Sequence, residues 1–428
     1  MKQINVLFDA TILIESMSLK SSERTGVYWA TYNILHQIIQ DRAFIITLLL
    51  PSRKLLRKID ENDRIIFSLP YIVFKQIDKY SSKIKLYFDY IKKTKNILQI
   101  FYKFLQIIKN ISYVIIIKLT PKIKLNNFNV FISPFYNIPD IVKEIKSIKL
   151  FHILYDCIPI LYSVSSMGIQ LNQWFVKISE NLNKDTYYFC ISECTKNDFF
   201  KFFSSNLDEK KMYITLMASS QIFFPNYNKD KLREIKQKYK IKIKENHQYI
   251  FSLCSIDPRK NLVFTIKCFF KFIEKHNIKN LYFYLGGGYF KDYIDKFNKE
   301  INNFDICSKF IIRLGYVDDS DVNILYSNSL FFAFLSQYEG FGIPPLEAMQ
   351  AGTPVICSNN SSLPEVVGDA AITIAYDDEE ACIKAFENFY FNEDVRKEYI
   401  NRGLERAKLF SWEKTVNKMT DIIKKITS

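Results

Sequence analysis

Only Gly26 and Gly168 precede residue 286, although the 428-residue chain holds 11 glycines. Glycine supplies left-handed turns and lets backbone approach a ligand with no Cβ in between. Loops able to cradle a ligand therefore concentrate in the second half. Long apolar runs are missing too: none nears the roughly 20 residues of a membrane-spanning helix. The eight cysteines contain no C-x-x-C pair, and the nearest two, Cys190 and Cys194, stand one helical turn apart at most. Met1-Lys-Gln-Ile-Asn-Val-Leu-Phe-Asp9 enters a strand directly, without a secretion leader. These absences argue against a disulfide scaffold and a structural zinc site, and place buried thiols in a reducing, cytoplasmic compartment. No recognised DNA- or RNA-binding motif occurs, so nucleic acid is not expected as a partner.

What is present is positive charge and apolar bulk. Lysine and arginine number 59 against 45 acidic residues, a net charge of +14 that favours an anionic partner or surface. Hydrophobic residues make up 48% of the chain, enough at this length for about two domains with full cores. The basic excess is densest over residues 71–126. There, lysines from Lys75 to Lys124 are interleaved with Ile, Leu, Tyr and Phe, and only Asp78 and Asp89 oppose them. This pattern fits a basic amphipathic helix lying on an anionic membrane face. It fits equally a solvated helical insertion whose lysine stems cover apolar surface.

The most informative stretch covers residues 336–355: Ser-Gln-Tyr-Glu-Gly-Phe-Gly-Ile-Pro-Pro-Leu-Glu-Ala-Met-Gln-Ala-Gly-Thr-Pro-Val. Residues 331–335 before it are apolar and few, the mark of a buried strand. Gly340 and Gly342 make a loop, Pro344 or Pro345 suits a first helical turn, and Gly352 suits the helix end. The spacing predicts strand, glycine loop, short helix, strand. Such a loop offers free N–H groups and a positive dipole end to a phosphate. Glu339 in the loop and Glu347 on the helix can face one ligand, and carboxylates accept hydrogen bonds from hydroxyls. The ligand so described carries phosphate and hydroxyl groups together, as a sugar nucleotide does.

With Gln350 as its one departure, this stretch closely resembles the E-x7-E segment, EGFGxPxxEAMAxGxPV, of retaining glycosyltransferases of family 4. Other segments share the resemblance in patches. Arg24-Thr-Gly-Val-Tyr resembles the family's N-terminal glycine loop, which implies that Gly26 lies in an interdomain cleft. Ile256-Asp-Pro-Arg-Lys-Asn-Leu262 resembles its EPRKN segment, whose lysine contacts donor phosphate; that position is Lys260. The family's separate upstream arginine is absent, with Cys254 and Ser255 in its place, and Arg259, at a position that often faces away, is an open substitute. Tyr155-Asp156-Cys157-Ile158-Pro159 stands where the family often shows HDLIP. Tyr155 thus replaces a histidine, while Asp156 remains a polar group at a strand's C-terminal end. His152 is expected in the core. Ser192 or Thr195 is expected to cap a helix, and Ser362 with Glu365 to form a capping box.

The resemblance implies α/β architecture of the GT-B kind, two doubly wound Rossmann-like domains facing across a cleft. The acceptor-side domain would cover 1–222 with the basic insertion 71–126, and the nucleotide-sugar domain 223–409; a helix over 410–428 would cross back. It implies retaining transfer of a hexose from a nucleotide sugar to a saccharide or lipid-linked acceptor, with neither a bound metal nor another cofactor. Asp319-Ser-Asp321 opens a helix rather than a metal-binding loop. Glu339 and Asp156 are the candidate catalytic residues. Lys260, Arg259, Glu347, Gly340, Phe341, Gly342, Ile343 and Gly26 are the candidate donor-binding residues. Lys260 and the N–H groups near Gly342 and Ile343 would stabilise the leaving diphosphate. Glu347 would accept from ribose hydroxyls, and Glu339 would sit against the donor sugar. Similar bacterial proteins build surface polysaccharide, often as mannosyltransferases using GDP-mannose, and a lipid-linked acceptor would arrive from the inner membrane face. Two rivals stay open: a GT-B sugar-nucleotide epimerase or hydrolase, and a non-catalytic basic protein binding membrane or polyanion through 71–126.

Overall fold

The computed structural model describes residues 3–17, 26–49, 68–70, 125–162, 175–176, 178–241, 243, 247–288, 291–302 and 309–428. The basic segment 71–126 lies outside them, except for Leu125 and Asn126 in a short 3-10 turn.

Short runs rich in β-branched and aromatic residues build two sheets. The first is ordered β3-β2-β1-β4-β5-β6-β7. Its strands are β1 (Ile4–Asp9), β2 (Phe44–Leu49), β3 (Ser68–Pro70), β4 (Val130–Ser133), β5 (Lys149–Leu154), β6 (Tyr187–Cys190) and β7 (Met212–Ile214). The second is ordered β10-β9-β8-β11-β12-β13. It comprises β8 (Gln248–Leu253), β9 (Leu281–Gly286), β10 (Ile311–Gly315), β11 (Phe332–Phe334), β12 (Val355–Ser358) and β13 (Ala371–Ile374). Neighbouring strands pair in parallel except β2 with the short edge strand β3. Parallel neighbours need crossover connections, and helices supply them over both faces. Strands covered on both sides lose polar alternation, as in the wholly buried β4 and β12. The doubly wound pair is therefore as expected, with an antiparallel edge strand added to the first sheet.

In both sheets the strand order reverses beside the first strand, between β1 and β4 and between β8 and β11. Open α/β sheets bind ligands in the crevice beyond the C-terminal strand ends at such a reversal. In the second sheet, these two strands lead into the loops bearing Arg259–Lys260 and Glu339.

The chain crosses between the sheets over 215–228. The Phe224 N–H donates to Asn323 Oδ1 at 3.1 Å and the Asn226 N–H to Ser327 Oγ at 3.0 Å, which pins the crossing to the second domain. The chain returns through the helix Trp412–Thr427, which packs on the helix Gly26–Ile38 and buries Val416, Met419 and Ile423. Each such side chain contributes about 1.5–3 kcal/mol. That exceeds what the half-exposed Lys424–Asp41 pair at 2.6 Å adds. Among the described residues, no helix is long and apolar enough to cross a membrane.

Candidate active site

Beyond β8, Asp257 caps a 3-10 turn, Pro258–Lys260, by accepting from the Arg259 N–H at 2.8 Å. Asn261 then adopts a left-handed conformation (φ 55°) and starts the helix Leu262–Lys275. This tight entry leaves Arg259 and Lys260 at the end of β8 instead of on the helix. Beyond β11, the neighbouring loop is stitched to the same turn. The Gln337 N–H donates to Arg259 O at 2.8 Å, and Ser336 Oγ lies 3.2 Å from that carbonyl.

Glu339 therefore meets both cations. Its carboxylate is 3.0 Å from Arg259 Nη1 and is hydrogen-bonded by Lys260 Nζ. Arg259 also donates to Tyr338 O, and the Lys260 ammonium lies 5.1 Å from the centre of the Phe334 ring. Burial alone would raise the Glu339 pKa, but the charges of Lys260 and Arg259 outweigh it and hold the carboxyl below its ordinary value. Arg259 does not face away: in the 3-10 turn both basic side chains reach Glu339.

Glu347, on the helix Ile343–Gln350, has no cation partner among the described residues. Its carboxylate accepts from Tyr326 Oη at 3.2 Å. Burial, with Asp319 repulsion added, pushes it up to about 8. The helix opens at Gly342 with φ 111°, where a Cβ would lie 2.7 Å from Leu363 Cδ2. Pro344 and Pro345 carry no N–H, so Gly342 and Ile343 hold the free donors at this helix start. The Phe341 ring turns into the core against Phe410, centroids 6.0 Å apart.

Asp156 joins the cluster from the first domain. Its Oδ1 accepts from the Ile158 N–H at 3.0 Å. Burial raises its pKa, and Arg259 and Lys260 act against that. Gly340 packs so closely on this segment that a Cβ there would lie 2.8 Å from Asp156 Cβ and 2.9 Å from Tyr155 O. The Tyr155 side chain turns the other way. Its hydroxyl is buried beside Thr31, and the side chain lines a small cavity with Ala30, Ile34, Trp412 and Thr415. The carbonyl of Tyr155 is taken by Thr195 Oγ1 at 2.7 Å. His152 is buried, and burial pushes it down to about 4, a neutral imidazole in the core. Gly26 heads its helix, and a Cβ added there would meet nothing within 4 Å among the described residues.

One expectation needs correction. Ser362 and Glu365 form no capping box: Ser362 makes no side-chain cap. Instead its hydroxyl lies 2.8 and 2.7 Å from the carbonyls of Glu339 and Phe341. The Glu365 carboxylate crosses to the first domain and accepts from the Glu193 and Cys194 N–H groups, each at 2.7 Å. The local pattern fitted a cap, but both side chains found partners distant in sequence. Asp321 is already paired with Lys238 and accepts from Tyr239 Oη at 3.1 Å.

A reversal-point crevice holding two carboxylates and two cations, between two doubly wound sheets, defines a protein of the GT-B fold. Residues 233–406 match the model of the family Glycosyl transferases group 1. The chain is 30% identical over 236 residues to O-antigen chain mannosyltransferase B of Escherichia coli, covering 55% of this chain and 60% of that one. It is 23% identical over 266 residues to the serotype-specific mannosyltransferase WbdA of Escherichia coli, covering 62% and 32%. The matches thus span less than two thirds of these relatives' own lengths. In fold it resembles sucrose-phosphate synthase of Thermosynechococcus elongatus, with a TM-score of 0.64 and 13% identity over 99% of both chains.

Proposed function

We propose that this protein is a retaining glycosyltransferase that moves a hexose, mannose from GDP-mannose, onto a saccharide or lipid-linked acceptor during surface polysaccharide assembly. The observation that carries this reading is the convergence of Glu339 with Arg259 and Lys260, with Glu347 on the helix that follows, hydrogen-bonded by Tyr326. As the glycosidic bond breaks, the leaving diphosphate gains negative charge. Lys260, Arg259 and the N–H groups of Gly342 and Ile343 meet that charge where it develops. Two fixed cations do the work that a divalent metal does elsewhere. Diphosphate competes with Glu339 for these cations and frees the carboxylate to hold donor-sugar hydroxyls and face the electron-poor anomeric carbon. Glu347 accepts from the ribose. Asp156 borders the sugar from the acceptor side. The two mannosyltransferase relatives support the sugar and the pathway class.

The test is calorimetry of GDP, UDP, ADP and dTDP, each with and without Mg²⁺, on wild type and Glu347→Ala. The expected outcome is tight binding of GDP that needs no Mg²⁺ and is lost in the variant. Preference for another base would overturn the GDP-mannose assignment, and no binding of any diphosphate would overturn the donor site itself.

A further inference from the structure

The first turn of the helix Glu193–Phe203 belongs to the first domain but is seated on the second. Ser192 Oγ caps this helix by accepting from the Thr195 N–H at 3.0 Å. A cap uses only the oxygen, and the one hydroxyl proton has two acceptors within reach, Gly340 O at 2.8 Å and Thr195 Oγ1 at 2.9 Å. Thr195 Oγ1 donates to Tyr155 O at 2.7 Å and lies 3.3 Å from Gly340 O. Both residues are fully buried. Tyr338 Oη donates to Asp198 on the same helix, and Glu365 accepts from its first N–H groups.

These contacts bracket Glu339. Its N–H donates to Ser361 Oγ at 3.0 Å, and Ser362 holds the carbonyls of Glu339 and Phe341 from within the second domain. The carbonyl between them, that of Gly340, is held from the first domain. The peptide that aims Glu339 is therefore complete only when the two domains are seated together. We propose that Ser192, backed by Thr195, is a positioning residue: its hydroxyl couples the seating of the domains to the orientation of Glu339. This inference rests on the transfer reading above.

The test compares Ser192→Ala, Thr195→Val and the conservative Ser192→Thr in the full chain. It measures diphosphate affinity, donor kcat and KM, Tm, and hydrogen exchange over residues 336–343. Ser192→Ala is expected to lower kcat about tenfold or more while diphosphate affinity stays within about twofold, since a small misplacement of a reacting group costs rate more than binding. Exchange over 336–343 should quicken, and Ser192→Thr should restore both. Thr195→Val keeps the Ser192 cap and should shift kcat and exchange in the same direction. Unchanged exchange over 336–343 would overturn the clamp. Faster exchange with unchanged kcat would overturn the positioning role, as would a fall in Tm that tracks kcat across all three variants. A wild type that neither binds diphosphate nor turns over donor sinks the transfer reading instead, while exchange still reads the clamp.

Discussion

Glu339 and Glu347 stand eight positions apart in one stretch of chain, yet their surroundings are opposite. Glu339 shares Arg259 and Lys260 and is held ionised against the cost of burial. Glu347 has a tyrosine hydroxyl and, among the described residues, no cation, and burial pushes it up to about 8. One loop-and-helix unit thus presents a fixed negative charge at one end and, at neutral pH, a largely protonated carboxyl at the other. Spacing places two carboxyls on one loop-and-helix unit, but what packs around each decides its charge.

The largest expected effect comes from breaking the compensated side. Glu339→Gln leaves Arg259 and Lys260 buried with their shared counter-charge removed. Loss of one partner from a buried pair costs about 3–5 kcal/mol, and turnover should fall about a hundredfold or more. Denaturant unfolding and kcat check the two parts; an unfolding free energy equal to wild type would show that the three side chains are not one unit.

Gly340→Ala disturbs the seat under Glu339 and leaves Glu347 alone. The added methyl meets Asp156 Cβ and the Tyr155 carbonyl, and overpacking of this kind costs about 1–3 kcal/mol. Tm should fall, and kcat should fall with little change in diphosphate affinity. A variant as stable and active as wild type would mean that the two domains do not meet at this glycine.

The uncompensated side is tested by pH. The ordinary Glu347 value of 4.5 rises to about 8 in the folded protein. A raised value contributes stability in full below 4.5, and that contribution is lost as pH climbs through about 8. Wild type should therefore lose stability relative to Glu347→Gln across this window, while Glu339, with its depressed value, stays ionised throughout. Thermal melts of both proteins from pH 4 to 9 check it, and parallel curves would show that Glu347 titrates normally. Diphosphate binding near pH 7 should also release protons if the ribose draws on the ionised carboxylate. Calorimetry in buffers of different ionisation enthalpy reads that release, which should vanish in Glu347→Gln.

The smallest effect concerns the end of the same helix. Gln350, the one departure from the family's motif, accepts a hydrogen bond from Ser219 Oγ across the domain boundary. Gln350→Ala removes one partly buried neutral bond, worth about 1 kcal/mol. Tm should move by a few degrees at most, with Glu339 and Glu347 titrating as before.

Much of this site was legible beforehand. The glycine loop, the proline-opened helix and the buried strand before it all follow from backbone chemistry that acts within a few residues. So does the doubly wound alternation. Side-chain destinations were less legible. Glu365 looked like half of a capping box because Ser362 stands three residues before it, yet it caps a helix 172 residues away in sequence. Phe341 sits within the motif, but its ring fills a gap against Phe410. Arg259 looked misdirected because its position often faces away in the family, whereas here a 3-10 turn brings both cations to one carboxylate.

By itself, then, the sequence determined the local geometry of each loop and which residue types each brings to a strand end. Those choices rest on short-range sterics and capping bonds that need no partner. The tertiary structure alone decided which of these groups meet. Lys260 and Glu339 are 79 residues apart, and Ser192 and Gly340 are 148 apart. They touch because β8 and β11 lie side by side at the reversal of the second sheet, and because the first domain is seated against that edge. Charge state follows from that meeting: the same side chain is ionised beside two buried cations and protonated without them.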